Sequence, residues 1–307
     1  MLAAIAGGVG AARMLRGLVA VVPPADIAAI VNTADDFRLH GLAISPDLDT
    51  VTYTLAGASN ETLGWGLEGE TWTVMEQLGR LGGQDWFRLG DKDLATHLYR
   101  TQRLSEGGTL SDVARELAAS WGLGLRLLPM TDDVVQTRVT LADTGEEIGF
   151  QDYFVARRHG VAVSAVRFDG AASSSPAPGV LEALASAERV VICPSNPIVS
   201  VGPVLAVPGV REAVVARRES VVAVSPIVAG AALKGPADRL LRELGHEPSV
   251  VGVARLYREV AATLVVDTAD AGLAGAVEAE GMRCVVAPTV MSTPDAAAAL
   301  AKVVVTC

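Results

Sequence analysis

Two short acidic runs hold much of the chemistry available in this chain. Asn32-Thr33-Ala34-Asp35-Asp36 and Ser45-Pro46-Asp47-Leu48-Asp49-Thr50 place four carboxylates within fifteen residues. Carboxylate oxygens are hard ligands, and such a set could hold Mg²⁺. The second run also suits a helix start, with Ser45 as N-cap, Pro46 at the first helical position and Asp47 near the positive end of the dipole. Capping accounts for Ser45 to Asp47 but does not require Asp49. A glycine run, Gly7-Gly8-Val9-Gly10, lies between an apolar strand and a helical pattern, where free backbone N–H groups favour a phosphate. No Gly-Lys-Ser/Thr follows it, and Arg13 stands where a dinucleotide fingerprint has its third glycine. The run therefore reads equally as a tight turn that needs glycine.

Pro194-Ser195-Asn196-Pro197 and Ser225-Pro226 each follow a strand. Their hydroxyls, amide and free N–H groups suit phosphate or a nucleobase, although proline and serine also simply end strands. The four histidines are scattered; His97 follows Asp93 at helical spacing and reads as a surface pair. No Ser/His/Asp, Cys/His or zinc spacing is present, and Trp65, Trp72 and Trp86 read as core.

The elements that would position these residues alternate. Strand Leu2–Ala6, a helix over 11–21 and strand Ile27–Val31 make a βαβ opening. Strands at 189–193, 221–224, 263–266 and 284–287 alternate with helices near 180–188, 209–218, 236–244, 270–280 and 294–302. That pattern predicts an α/β fold with a Rossmann-like, doubly wound, mostly parallel sheet, and ligands at its carboxyl edge. Residues 303–305 suggest a last edge strand. The middle reads as a smaller accessory α/β subdomain over that edge, with Thr109 to Asp112 capping a helix and short strands at 126–128, 135–140, 147–150 and 161–167. The predicted division is 1–59 with 171–307 for the nucleotide-binding core and 60–170 for the subdomain, with residues 171–179 as a linker.

Composition excludes several classes. The 307 residues are 50% hydrophobic, enough for a substantial core, and carry a net charge of −10, which argues against nucleic acid as a partner. Three cysteines without paired spacing suggest a reducing compartment. The uncharged run Val190–Val210 contains four prolines and reads as strand plus loop, not as a membrane span. The expected location is cytoplasmic.

Eight runs occur in one order: Gly7–Gly10 (GGVG), Val31–Asp36 (VNTADD), Ile44–Val51 (ISPDLDTV), Leu89–His97 (LGDKDLATH), Leu128–Asp133 (LPMTDD), Phe150–Asp152 (FQD), Pro194–Pro197 (PSNP) and Val224–Ile227 (VSPI). Together they resemble the 2-phospho-L-lactate transferase family of deazaflavin coenzyme biosynthesis, essentially end to end. The resemblance implies a Rossmann-like core with an accessory domain, a homodimer and Mg²⁺ dependence. It implies transfer of a phosphoenolpyruvyl or 2-phospho-L-lactyl group from a guanosine diphosphate conjugate to the ribityl hydroxyl of the deazaflavin precursor Fo, with release of GMP, on the way to coenzyme F-420. The local departure is Val9, where relatives carry threonine; a backbone role survives that change.

On this footing Asp49 is the expected main metal ligand with Asp47, and Asp49 and Asp36 are the catalytic candidates. Gly7, Gly8, Gly10, Ser195, Asn196, Pro197 and Ser225 would cradle phosphates or nucleotide. Asn32, Asp36, Asp91 and Arg138 would bind Fo or the acid, and Thr33 substrate or nucleotide. The general base is unassigned. The donor acid is open among phosphoenolpyruvate, 2-phospholactate and 3-phosphoglycerate; an Ala-, Val- and Arg-rich composition suggests a GC-rich bacterial genome, where the enolpyruvyl variant is expected. A rival is the related family of nucleotide-sugar-binding regulators of gluconeogenic growth, which shares the glycine opening and an Ala-Asp-Asp turn. The runs at 44–51 and 89–97 and the absence of a Gly/Ser-rich stretch after Asp36 argue against it. A nicotinamide oxidoreductase would need an acidic residue ending the second strand, where Asn32 stands.

Overall fold

The computed structural model describes residues 1–307. Seven strands form one all-parallel sheet: β1 (Leu2–Ala6), β2 (Ile27–Val31), β3 (Arg126–Pro129), β4 (Arg189–Ile192), β5 (Val221–Val224), β6 (Thr263–Val266) and β7 (Arg283–Val286). Their order is β7-β6-β5-β4-β1-β2-β3. The sequences LAAIA and IAAIV are buried at every position, as strands covered on both faces must be. Ala3 and Ile5 of β1 join one hydrophobic cluster and Leu2, Ala4 and Ala6 the other, so the two clusters lie on opposite faces of the sheet. The direction of winding reverses between β1 and β4, which opens a crevice at their carboxyl ends.

Five helices matter for that crevice: α1 (Gly8–Val19), α2 (Pro46–Leu55), α3 (Thr73–Arg80), α4 (Asp93–Ser105) and α5 (Leu110–Ser120). Thr109 and Asp112 make the expected reciprocal cap of α5. A separate antiparallel sheet joins Gln136–Leu141 to Glu147–Gly149 and Val163–Asp169, turning at Asp143 to Gly145.

Three expectations change. Strand β3, predicted within the subdomain, pairs with β2 in the main sheet; α5 covers it through Ala114 and Ala118, beside Leu125 and Leu127. Local pattern cannot tell which sheet a four-residue strand joins. Residues 303–305 are not a strand: the helix capped by Thr293 runs Pro294–Thr306, because its alanine-rich stretch carries the valines on. The 171–179 segment is packed, with Ala171, Ser174 and Ala177 buried and the Ala177 N–H donating to the Met130 carbonyl. In the uncharged Val190–Val210 run, β4 gives way to short helical turns at Pro197–Val201 and Gly202–Ala206. No helix is long and apolar enough to cross a membrane.

Candidate functional site

The crevice widens into a cavity of about 800 Å³. Its floor is the glycine loop. Gly8 has φ +70°, a conformation glycine adopts without cost, and Gly10 lies so close to the next loop that a Cβ there would stand 2.2 Å from the Pro194 carbonyl oxygen. Ser195 seals the junction by donating from Oγ to the Gly7 carbonyl at 2.8 Å.

Beside this loop sits a group of buried carboxylates. Asn32 is fully buried at the end of β2, and its Nδ2 donates to Asp47 Oδ2 at 2.9 Å and Asp35 Oδ2 at 3.2 Å. Ser45 does not cap α2 with its side chain; Oγ donates instead to Asp36 Oδ2 at 2.6 Å. Helix capping therefore does not explain this run. Asp35 Oδ1 and Asp36 Oδ1 are buried without a partner. Burial drives Asp35 and Asp36 well above the ordinary carboxylate range, and the charge of Asp47 adds to the rise of Asp35. Burial also lifts Asp47, pushed up to about 6 although Asn32 and the Gly8 amide oppose the rise. Asp35 and Asp47, buried with no cation in contact, fit a divalent metal, whereas the Arg100 guanidinium already opposes the rise of Asp36. Asp35 and Asp47 line the cavity and would hold one there, and Asp49, Asp93 and His97 bring their ligand atoms within 4.8 Å of one another beside it.

Asp49 is held differently. It is bonded to the guanidinium of Arg100, and Asp49 Oδ2 lies 3.7 Å from His97 Nδ1. His97 Nε2 lies 3.3 Å from Asp93 Oδ2, and Asp93 Oδ1 accepts from the Tyr53 hydroxyl at 2.6 Å. His97 and Arg100 are each 1% exposed, so His97 is no surface pair. The signal was available: Asp93, His97 and Arg100 fall at i, i+4 and i+7, one face of α4.

Other predicted residues divide. Gly7, Gly8, Gly10, Asp47, Asp49, Ser195, Asn196 and Ser225 line the cavity. Asn196 spends its carbonyl oxygen on the Ile198 and Val199 amides, and Ser225 Oγ bonds Ile227, so both also hold their own loops. Asn32 and Asp36 support the floor from behind, while Thr33 and Pro197 are buried in the turns after β2 and β4. Asp91 and Arg138 are not brought to the cavity. Asp91 accepts from Thr71 Oγ1 and from the Thr73 and Val74 amides at the start of α3, and Arg138 donates to Gln136 in the antiparallel sheet. Sequence reasoning missed four cationic side chains that line the cavity without an acidic partner: Arg13, Arg88, Arg158 and Lys234. It also placed Trp65 in the core, whereas Trp65 is 40% exposed and lines the cavity with Trp86 and Phe87.

The raised Asp47 pKa has a sign that can be measured. A carboxyl with a higher pKa in the fold than in the unfolded chain contributes its stability below about pH 4 and loses it as pH rises through about 6. In metal-free protein, Asp47→Asn should match wild type near pH 4 and exceed it by on the order of 2–3 kcal/mol at pH 8. Denaturant unfolding of both proteins in EDTA across that range checks this; a difference independent of pH would refute it.

The profile of the family described as 2-phospho-L-lactate transferase CofD matches residues 2–290. A phosphoenolpyruvate transferase of Streptomyces griseus is 49% identical over 302 residues, covering 97% of this chain and 95% of its own. Those of Kitasatospora aureofaciens and Thermobifida fusca are 46% and 44% identical, covering 97% of this chain and 95% and 94% of theirs. A crystal structure from Bacillus halodurans, of the upf0052 family, shares the fold at a TM-score of 0.63 and 18% identity over 99% of this chain and 98% of that one.

Proposed function

The chain belongs to the 2-phospho-L-lactate transferase CofD family, and from that premise we propose that it moves a phosphoenolpyruvyl group from its guanosine diphosphate conjugate to the ribityl hydroxyl of Fo, releasing GMP. The observation that carries this reading is one cavity that joins a glycine loop, buried carboxylates, four unpaired cations and aromatic faces. A donor with two phosphates and a carboxylate needs local positive charge in a protein of net charge −10, and Arg13, Arg88, Arg158 and Lys234 supply it. Trp65, Trp86 and Phe87 suit the flat deazaflavin ring. The enolpyruvyl donor is favoured over 2-phospholactate and 3-phosphoglycerate by the names of the relatives. The same reading carries a homodimer acting in the cytoplasm.

In this transfer the acceptor oxygen forms a bond to the phosphorus that bears the acid, the bond from that phosphorus to the GMP oxygen breaks, and the hydroxyl loses its proton. The chain's task is to orient the two reactants in line and to exclude water. The glycine loop presents backbone N–H groups and the start of α1 to the diphosphate. Asn32 holds Asp35 and Asp47 together, and these would bind Mg²⁺, which would neutralise charge on the diphosphate.

Purified protein given Fo, each guanylylated acid and Mg²⁺ is expected to consume Fo with the enolpyruvyl donor and release GMP. Mass spectrometry of the product and nucleotide chromatography check this. GDP release, or full turnover in EDTA, would overturn the mechanism.

A further inference from the structure

Two loops from distant parts of the chain meet at the mouth of the cavity. One runs from Asn60 to Gly66, above a base pinned by the Ser59–Leu67 bridge and by buried Leu67. Its tip is held by its own bonds: Asn60 Oδ1 accepts from the Thr62 and Leu63 amides, and the Gly64 amide donates to the Asn60 carbonyl at 2.8 Å. Glu61 ties it to Arg16 of α1 at 2.7 Å, an exposed pair of the kind that holds weakly. The other loop follows a two-stranded hairpin, Ile227–Val228 with Ala231–Ala232, and runs through Leu233, Lys234 and Gly235. The Lys234 ammonium lies so close to Gly64 that a Cβ there would collide with it. Leu63, Trp65 and Leu233 line the cavity and are 44%, 40% and 58% exposed, so three large apolar side chains stand in water around one mouth. Lys234 makes no ion pair or hydrogen bond there, since a glycine methylene offers it no acceptor.

We propose that Lys234 commits the donor to transfer rather than hydrolysis. The two tips close over the bound donor, Leu233 packing on Leu63 and Trp65, with the Lys234 ammonium on the phosphate that bears the acid. The proposal rests on the transfer reading above. That donor is a phosphoanhydride, and water competes with the acceptor hydroxyl for the same phosphorus. Attack by water joins its oxygen to that phosphorus, breaks the bond to GMP and sends a proton to solvent, releasing the free phospho-acid with GMP. Closing the mouth keeps that water out. Burial draws the apolar tips together. An anion beneath Lys234 gives the ammonium the partner that Gly64 does not, so bound phosphate favours the closed arrangement. Trp65 stands between Gly64 and Gly66, at φ +76° and +70°, and Lys234 precedes Gly235 at +70°, so both tips have the backbone freedom that closure needs.

Hydrogen exchange with GDP and Mg²⁺ as the probe reads closure without turnover, the β-phosphate of GDP standing for the phosphate that bears the acid. Saturating GDP is expected to slow exchange of the amides in 60–66 and 231–235 by about tenfold or more in wild type, and by less than about twofold in Lys234→Met. In turnover, the GMP released per Fo consumed, corrected for enzyme-free decay, should be about one in wild type and rise to about three or more in Lys234→Met. Lys234→Arg, which keeps the charge and the reach, should bring that ratio back towards the wild-type value. Lys234 is exposed, so these variants keep the fold. Unslowed exchange in wild type with GDP bound, or a wild-type ratio in Lys234→Met, would overturn the proposal. If wild type transfers nothing to Fo, the transfer reading falls, while exchange with GDP still decides whether the tips close.

Discussion

Asp49→Asn is expected to lose about 3–5 kcal/mol of folding stability together with most of its turnover, whereas Asp47→Asn loses turnover alone. The two aspartates are two positions apart in the first turn of α2, yet their surroundings are opposite. Asp49 neutralises Arg100, which is almost wholly buried and has no other carboxylate in ion-pair contact. Removing that charge leaves a guanidinium uncompensated in the interior. Asp47 faces Asn32 and the Gly8 amide and has no cation, so an amide there keeps an acceptor and removes an unfavourable charge. Both variants should fall by about a hundredfold or more in rate, because each removes a carboxylate that lines the cavity. Thermal melts at pH 8 and initial rates across a magnesium titration check the pair. Equal melting points would mean that Arg100 finds another partner and that the buried pair is not what holds α2 to α4.

Much of the architecture is written in local pattern. Short all-apolar strands alternating with amphipathic helices fix a parallel sheet, and a glycine loop after β1 with a proline-serine loop after β4 marks where winding reverses. Those signals are local, and the structure follows them. What sequence could not supply are pairings between distant residues. Asp49 read alone is a free ligand whose loss spares the fold; Arg100, fifty-one positions away, makes it half of a buried ion pair. Asp91 and Arg138 became site candidates through the family resemblance, yet one steadies the start of α3 and the other lies in the antiparallel sheet. Arg88, Arg158 and Lys234 lie far apart in sequence and in no pattern; only folding brings their charges around one cavity. The carboxylates Asp35 and Asp36 were visible, but their burial with unpartnered oxygens was not.

The glycine loop separates a turn from a binding device, because its glycines are required for different reasons. A Cβ at Gly10 would meet the Pro194 carbonyl at 2.2 Å, backbone against backbone, so Gly10→Ala should cost roughly 1–3 kcal/mol or more by forcing the two loops apart. Lost activity there says nothing about phosphate. Gly8 has open space around it; the nearest atom to a Cβ is Asp47 Oδ1 at 3.7 Å. Its constraint is φ +70°, which costs an L-residue about 1–2 kcal/mol, and more with a branched Cβ. Relaxing that strain turns the Gly8 amide away from Asp47 and from the diphosphate position at the start of α1. Gly8→Val should therefore stay folded and lose about a hundredfold or more in turnover, with weaker donor binding, while Val9→Thr stays near wild type because only the main chain is used. Calorimetric titration with the guanylylated acid, alongside rates for the three variants, tests this. If Gly8→Val binds the donor as wild type does, the loop is a turn, and the diphosphate must be held by the cationic side chains instead.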